Sequence, residues 1–149
     1  MDVLIGQYSQ TLTEKNRLVI PAKWRQNWHR DLSVFVASHQ PNFLELYPQE
    51  KWLQLQEAVE SLPRFNTSVR EFKRLFYSQV DEQQLDTQGR VILTETMLAN
   101  LNNPSVGNKL RMIGASELIE IWPEDSWEVK LSRQKADLPT LMDRVAMLQ

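Results

Sequence analysis

The apolar positions of this chain change period several times, and the changes recur in the same order in its two halves. From Gln7 to Leu12 and again from Arg17 to Ile20, alternation and β-branched residues predict two strands joined by a tight polar turn, a β-hairpin. The same pattern returns at Gln79 to Leu85 and Arg90 to Leu93. A short helix is predicted after each hairpin. In the first half Pro21 suits its first helical position, with Trp24 and Trp28 on one face; in the second Thr94 suits the N-cap, before Met97, Leu98 and Leu101. Apolar strands follow, "VFVA" and "FLELY" in one half, "LRMIGA" and "LIEIW" in the other. A proline-initiated helix then closes the unit, carrying Trp52, Leu55, Val59 and Leu62 on one face between Gln49 and Leu62.

These two halves are a tandem duplication. Placing Arg17 on Arg90, an offset of 73, brings Leu12 onto Leu85, Asn16 onto Gly89 and Leu18-Val19-Ile20 onto Val91-Ile92-Leu93. Further on, "ELYPQEKW" from Glu45 faces "EIWPEDSW" from Glu120 at an offset of 75, with Glu, Pro and Trp identical. Neither unit has enough strands or apolar surface for a good core, so interlocking the two is the economical solution. Between them Pro63 ends the first unit, and a linker helix is predicted from Ser68, where Ser68 and Glu71 fit a capping box. Val69, Phe72 and Phe76 would be its buried stripe and Arg70, Lys73 and Arg74 a solvated face. The last twenty residues read as helical and charged around Pro139. The expected division is a first repeat over 1–62, a linker helix over 63–78, a second repeat over 79–127 and a helical tail over 128–149.

Composition narrows the function more than the fold. The 149 residues are 42% hydrophobic and 24% charged, ordinary values for a folded domain, and no apolar run reaches the length of a membrane span. No cysteine is present, which removes disulfides and thiolate chemistry and fits a reducing compartment. The start "MDVLIGQYSQ" lacks the basic and apolar regions of a secretory signal. His29 and His39 have no ligand partners at helical or strand spacing, and neither a P-loop nor G-x-G-x-x-G occurs. An enzyme, a cofactor, a metal and a small-molecule substrate are therefore not expected. The five tryptophans fall at core positions rather than on a base-stacking platform. The net charge of −2 is neutral on nucleic-acid binding, because a basic patch can sit on a slightly acidic body.

The turns carry the candidate chemistry. In "LDTQGR" Asp86 suits a turn acceptor and Gly89 the positive-φ position; in "LTEKNR" Thr13 and Asn16 stand in their places. The turn geometry does not need the arginine that follows in both. A solvated turn arginine, salt-bridged to Asp86 in the second copy, is the plain reading. Duplication and the neighbours Lys15, Lys23 and Arg25 favour contact with DNA, because a two-stranded ribbon fits the major groove and arginine bonds guanine bidentately.

On "IGQYSQTLTEKNRLVIPAKWR", "LELYPQEKW", "FYSQVDEQQLDTQGRVIL" and "LIEIWPEDSW", in that order over nearly the whole chain, the sequence resembles the MraZ family of bacterial transcriptional regulators. The family's first turn usually reads Asp-Asp-Lys-Gly-Arg, and Thr13 and Asn16 depart from it here. The resemblance implies a mixed α+β fold: an AbrB-like swapped-hairpin (double-split) β-barrel made by two tandem pseudo-symmetric repeats with flanking helices. It also implies a cytoplasmic, nucleoid-associated repressor of a cell-division and cell-wall operon. Such a protein binds double-stranded DNA with repeated promoter boxes as a ring-shaped homo-oligomer. Lys15, Arg17, Lys23 and Arg90 are the expected DNA-binding residues, the first hairpin foremost, with Thr13, Asn16, Asp86 and Gly89 shaping the turns. The other function class left open is a protein-interaction or assembly module, antitoxin-like in binding a partner through the same barrel.

Overall fold

The computed structural model describes residues 3–26, 28 and 33–149. Each unit runs through the same elements. The first has β1 (Gln7–Thr11), β2 (Arg17–Val19), α1 (Ala22–Arg25), β3 (Ser33–Ala37), β4 (Leu44–Pro48), α2 (Gln49–Glu60) and α3 (Thr67–Ser78). The second has β5 (Val80–Gln84), β6 (Arg90–Ile92), α4 (Glu95–Asn100), β7 (Lys109–Ala115), β8 (Leu118–Pro123), α5 (Glu124–Ala136) and α6 (Leu138–Ala146). The fold is mixed α and β, with antiparallel strand pairing throughout.

Strand pairing departs from the expected hairpins. Within each unit the backbones of the first two strands are hydrogen-bonded to each other only at the turn that joins them, and their ladders are made with the other unit. β1 pairs with β7 and β5 with β3, so the first strand of each unit lies beside the third strand of the other. The outcome is a six-stranded sheet ordered β1-β7-β8-β4-β3-β5 and a separate two-stranded ladder of β2 and β6. An isolated hairpin is marginal in water, whereas this exchange gives every strand a partner and closes one core over both units. Among the described residues β1 and β5, the sheet's edges, share no ladder.

The core sits between the large sheet and the β2–β6 ladder. Leu12, Leu18, Ile20, Val91 and Leu93 from the turn-flanking segments meet Val36, Leu44, Leu46, Leu110, Met112, Ile119 and Ile121 from the sheet, every one essentially inaccessible. A second cluster lies between α2, α3 and the sheet, where Trp52 stacks on Phe35 and Phe76 with ring centroids 5.0 and 5.4 Å apart. Trp24, Trp52, Trp122 and Trp127 are buried and Trp28 packs against the main core, so packing absorbs all five indoles.

Local details correct several expectations. Pro21 precedes α1 as an extended residue rather than starting it. The N-cap of α3 is Asn66, whose side-chain Oδ1 accepts the Val69 N–H at 3.2 Å; Ser68 lies inside the helix and forms no capping box with Glu71. An Asn side chain ahead of the first turn reaches a free N–H that Ser68, one residue inside, does not. Of the predicted stripe on α3 only Phe76 is buried, while Phe72 is 45% exposed. Thr94 caps α4 as expected, accepting the Met97 N–H.

At the sheet centre the duplicated "E-x-x-P" motifs meet: Glu45 of β4 lies directly opposite Glu120 of β8. Burial pushes the Glu45 carboxyl above its usual value and Glu120 adds to that, against the opposing pull of His39 and the Tyr47 hydroxyl.

Candidate nucleic-acid interface

The first turn is closed by Thr13 and Arg17, with the Thr13 N–H donating to the Arg17 carbonyl at 2.9 Å and the Arg17 N–H returning at 3.4 Å. Between them Lys15 and Asn16 both adopt left-handed backbone, φ 62° and 56°. Asparagine tolerates that region; lysine carries a cost. Thr13 does not act as a turn acceptor here. Its hydroxyl donates to the Arg17 carbonyl at 3.0 Å.

The second turn reaches a similar closure through different atoms. Asp86 Oδ1 accepts the Gln88 and Arg90 N–H groups at 2.9 and 3.0 Å, and Gly89 takes φ 77°. Oδ2 accepts Arg90 Nε at 2.7 Å. Partial burial acts to raise the Asp86 carboxyl, and its bonds from Arg90 and Gln88 outweigh that and hold it below the usual carboxylate range. The arginines of the two turns are therefore not equivalent: Arg90 is tied to its own turn, whereas Arg17 has no ion-pair partner among the described residues.

What the sequence could not show is that the two turns lead into one ladder. The β2–β6 register sets Arg17 opposite Ile92, Leu18 opposite Val91 and Val19 opposite Arg90. Leu18 and Val91 are fully buried, so strict alternation turns Arg17, Val19, Arg90 and Ile92 to the other face. Ile92, at 51% exposure, marks that face as the outer one. Arg17 and Arg90 are diagonal neighbours on it, a relation that places side chains roughly 7–8 Å apart. Two further bonds lock the units around the ladder: the Ile20 N–H donates to the Gly89 carbonyl at 2.9 Å, and the Leu93 N–H to the Asn16 carbonyl at 2.7 Å. Each turn thus receives a bond from the strand end of the other unit. Gln83 supports β6 like an added strand, accepting the Ile92 N–H at 2.9 Å and donating to its carbonyl at 2.7 Å.

Lys15 is exposed at the tip of the first turn and Lys23 is exposed on α1; neither has a carboxylate partner among the described residues. Arg25 was noted in the sequence only as a neighbour of the first turn. It reaches across to the second, where a side chain placed at Gly89 would collide with its guanidinium. Its Nε donates to the Ile20 carbonyl at 2.7 Å. No local signal marks such a contact, because it exists only after the units exchange strands.

His39 stacks on Phe76 at 4.4 Å and its Nε2 lies 2.7 Å from the Phe76 carbonyl, a packing role; His29 lies outside the described residues. Among the described residues no three His, Asp or Glu side chains gather where they would hold a metal, and no helix is long and apolar enough to cross a membrane.

Comparison with known proteins returns the same duplication. The profile of the MraZ protein family, whose description calls it antitoxin-like, matches twice, over residues 3–75 and 76–146. The chain belongs to the MraZ family. Two consecutive MraZ units carry one turn, one ladder strand and two closing helices each. Curated MraZ relatives align over most of their length. The protein called transcriptional regulator MraZ from Clostridium tetani (strain Massachusetts / E88) is 34% identical over 128 residues, 85% of either chain. Its namesake from Herpetosiphon aurantiacus is 32% identical over 146 residues, 97% of each chain, and that from Clostridium acetobutylicum 30% over 146 residues, 98% of this chain and 99% of its own.

Proposed function

We propose that this protein is a sequence-specific DNA-binding transcriptional regulator, a repressor of a bacterial cell-division and cell-wall operon that reads repeated promoter boxes. One observation carries the reading: the β2–β6 register sets Arg17 and Arg90 as diagonal neighbours on the outward face of a two-stranded ribbon, and Lys15 and Lys23 of the first unit are exposed and without a carboxylate partner among the described residues. A ribbon of this kind fits the DNA major groove, where Arg17 reads guanine and the lysines neutralise phosphates. Arg90, held by Asp86, contributes less freely. The relatives' shared name, transcriptional regulator, supports the same reading.

In this reading the reciprocal pairing of β1 with β7 and β5 with β3 is the swapped-hairpin exchange of an AbrB-like double-split barrel. Repeats over 1–62 and 79–127, joined by the linker helix 63–78, form it, with the tail 128–149 outside. Chains assemble into a ring in the cytoplasm, at the nucleoid, and one modest turn contact per box becomes useful affinity through multivalency. Unmatched apolar surface favours assembly: Phe65 and Leu75 around α3 are 82% and 64% exposed, and Met142 on α6 is 62% exposed. Two different patches of this kind favour head-to-tail contacts that close into a ring. The protein acts as a binding module rather than an enzyme.

The same patches favour a second reading, in which the barrel and its helices bind another protein, in keeping with the antitoxin-like family description. Fluorescence anisotropy with repeated-box and scrambled duplexes separates the two. Tight, salt-sensitive binding to the repeats that collapses in Arg17→Ala supports the regulator. Equal weak binding of wild type and variant to both duplexes overturns it and leaves the protein-binding module.

A further inference from the structure

We infer that Arg25, carried by the first unit, is the phosphate-binding cation of the second turn. The inference rests on the DNA-binding reading and adds to it a residue outside the two turn motifs. The second turn is poor in free charge: Gln88 stands where the first turn has Lys15, and Arg90 is held by Asp86 at 2.7 Å. The guanidinium of Arg25 lies against the Gly89 backbone. Its Nε is spent on the Ile20 carbonyl at 2.7 Å, which orients the plane, and no carboxylate pairs with it among the described residues. A half-buried guanidinium fixed through Nε presents its remaining N–H donors in a set direction, the arrangement that suits a phosphate oxygen.

The same contact fits the difference between the two turns. At Gly89 φ is 77° and a Cβ would push the guanidinium end of Arg25 aside, so glycine both suits the turn and leaves Arg25 its place. The residue related to Arg25 by the repeat offset of 73 is Leu98, which packs into the core and brings no cation to the first turn. That turn has Asn16 in place of glycine and supplies its own charges, Lys15 and Arg17. Each turn is thus served by two cations, one of those at the second turn coming from the other unit.

The test is the salt dependence of full-length protein binding to the repeated-box and scrambled duplexes. Arg25→Gln should weaken binding to both, roughly 3-fold or more, and lower the log–log salt slope by about one for each engaged subunit. Arg25→Lys should keep the slope. Wild-type slope and affinity in folded Arg25→Gln would reduce Arg25 to a turn support and overturn the inference. Should Arg25→Gln fail to fold, phenylglyoxal labelling of the wild type reads the same residue: protection of Arg25 by bound duplex supports the assignment, and equal labelling with and without duplex overturns it. Loss of binding in Arg17→Ala with no effect at Arg25 removes this assignment alone. A wild type that binds neither duplex removes the DNA reading and the assignment together.

Discussion

Lys15 separates the shape of the first turn from its charge. Its φ of 62° and ψ of 25° lie in the left-handed region, and its exposed side chain has no ion-pair partner among the described residues. A non-glycine residue there costs roughly 1–2 kcal/mol. Glycine removes that cost and adds about 0.5–1 kcal/mol of backbone entropy lost on folding. Lys15→Gly should therefore be neutral or up to about 1.5 kcal/mol more stable, a midpoint shift of roughly 0–6 °C for a chain of this size. Lys15→Ala keeps the strain and should fall below Lys15→Gly by a few tenths to 1 kcal/mol. Both variants lose the same charge, so both should lose the same DNA affinity and about one unit of salt slope per engaged subunit. Thermal unfolding followed by circular dichroism reads the first effect and anisotropy at several salt concentrations the second. A Lys15→Gly protein destabilised by more than about 1 kcal/mol would refute the conformational argument. Wild-type affinity and slope in both variants would remove Lys15 from the interface.

Further outcomes follow from the turn, the sheet centre and the exposed helices. Asp86→Asn retains an oxygen for the Gln88 and Arg90 N–H groups but releases the Arg90 guanidinium; stability should drop by less than about 1 kcal/mol in urea titration while DNA affinity rises, and weaker binding would mean that the ion pair aims Arg90 usefully. The carboxyl of Asp86 is held low in the folded state, so its stabilisation is present above the ordinary carboxylate value and lost as pH falls through the depressed one; Asp86→Asn should lack that acid-side loss. Glu45 behaves oppositely. Its raised carboxyl binds its proton more tightly when folded, so stability declines as pH rises from the ordinary value through the raised one; Glu45→Gln should be more stable than wild type at pH 7 and show little gain at pH 4 by chemical denaturation. Leu75→Glu and Met142→Glu change exposed side chains only and should keep the monomer fold by circular dichroism while shifting the mass measured by light scattering downward; an unchanged mass in both would place the assembly surface elsewhere.

The duplication, the positions of the turns and the arginine after each were legible in the chain itself, because they rest on local signals: alternation, positive-φ residues such as Gly89 and Asn16, and rare Trp and Pro repeated in step. The Asp86–Arg90 pair was legible for the same reason, being four residues apart in one turn. Strand partners were not. The alternation of β1 says which residues face inward, but it is satisfied equally by β2 and by β7, and the choice fell to burying both units in one core. From that exchange come the diagonal placement of Arg17 and Arg90 on one face, the reach of Arg25 onto Gly89 and the meeting of Glu45 with Glu120. Local chemistry along the chain determined which residues stand ready at each turn; long-range pairing, driven by the apolar area that neither unit could bury alone, decided which of them stand together.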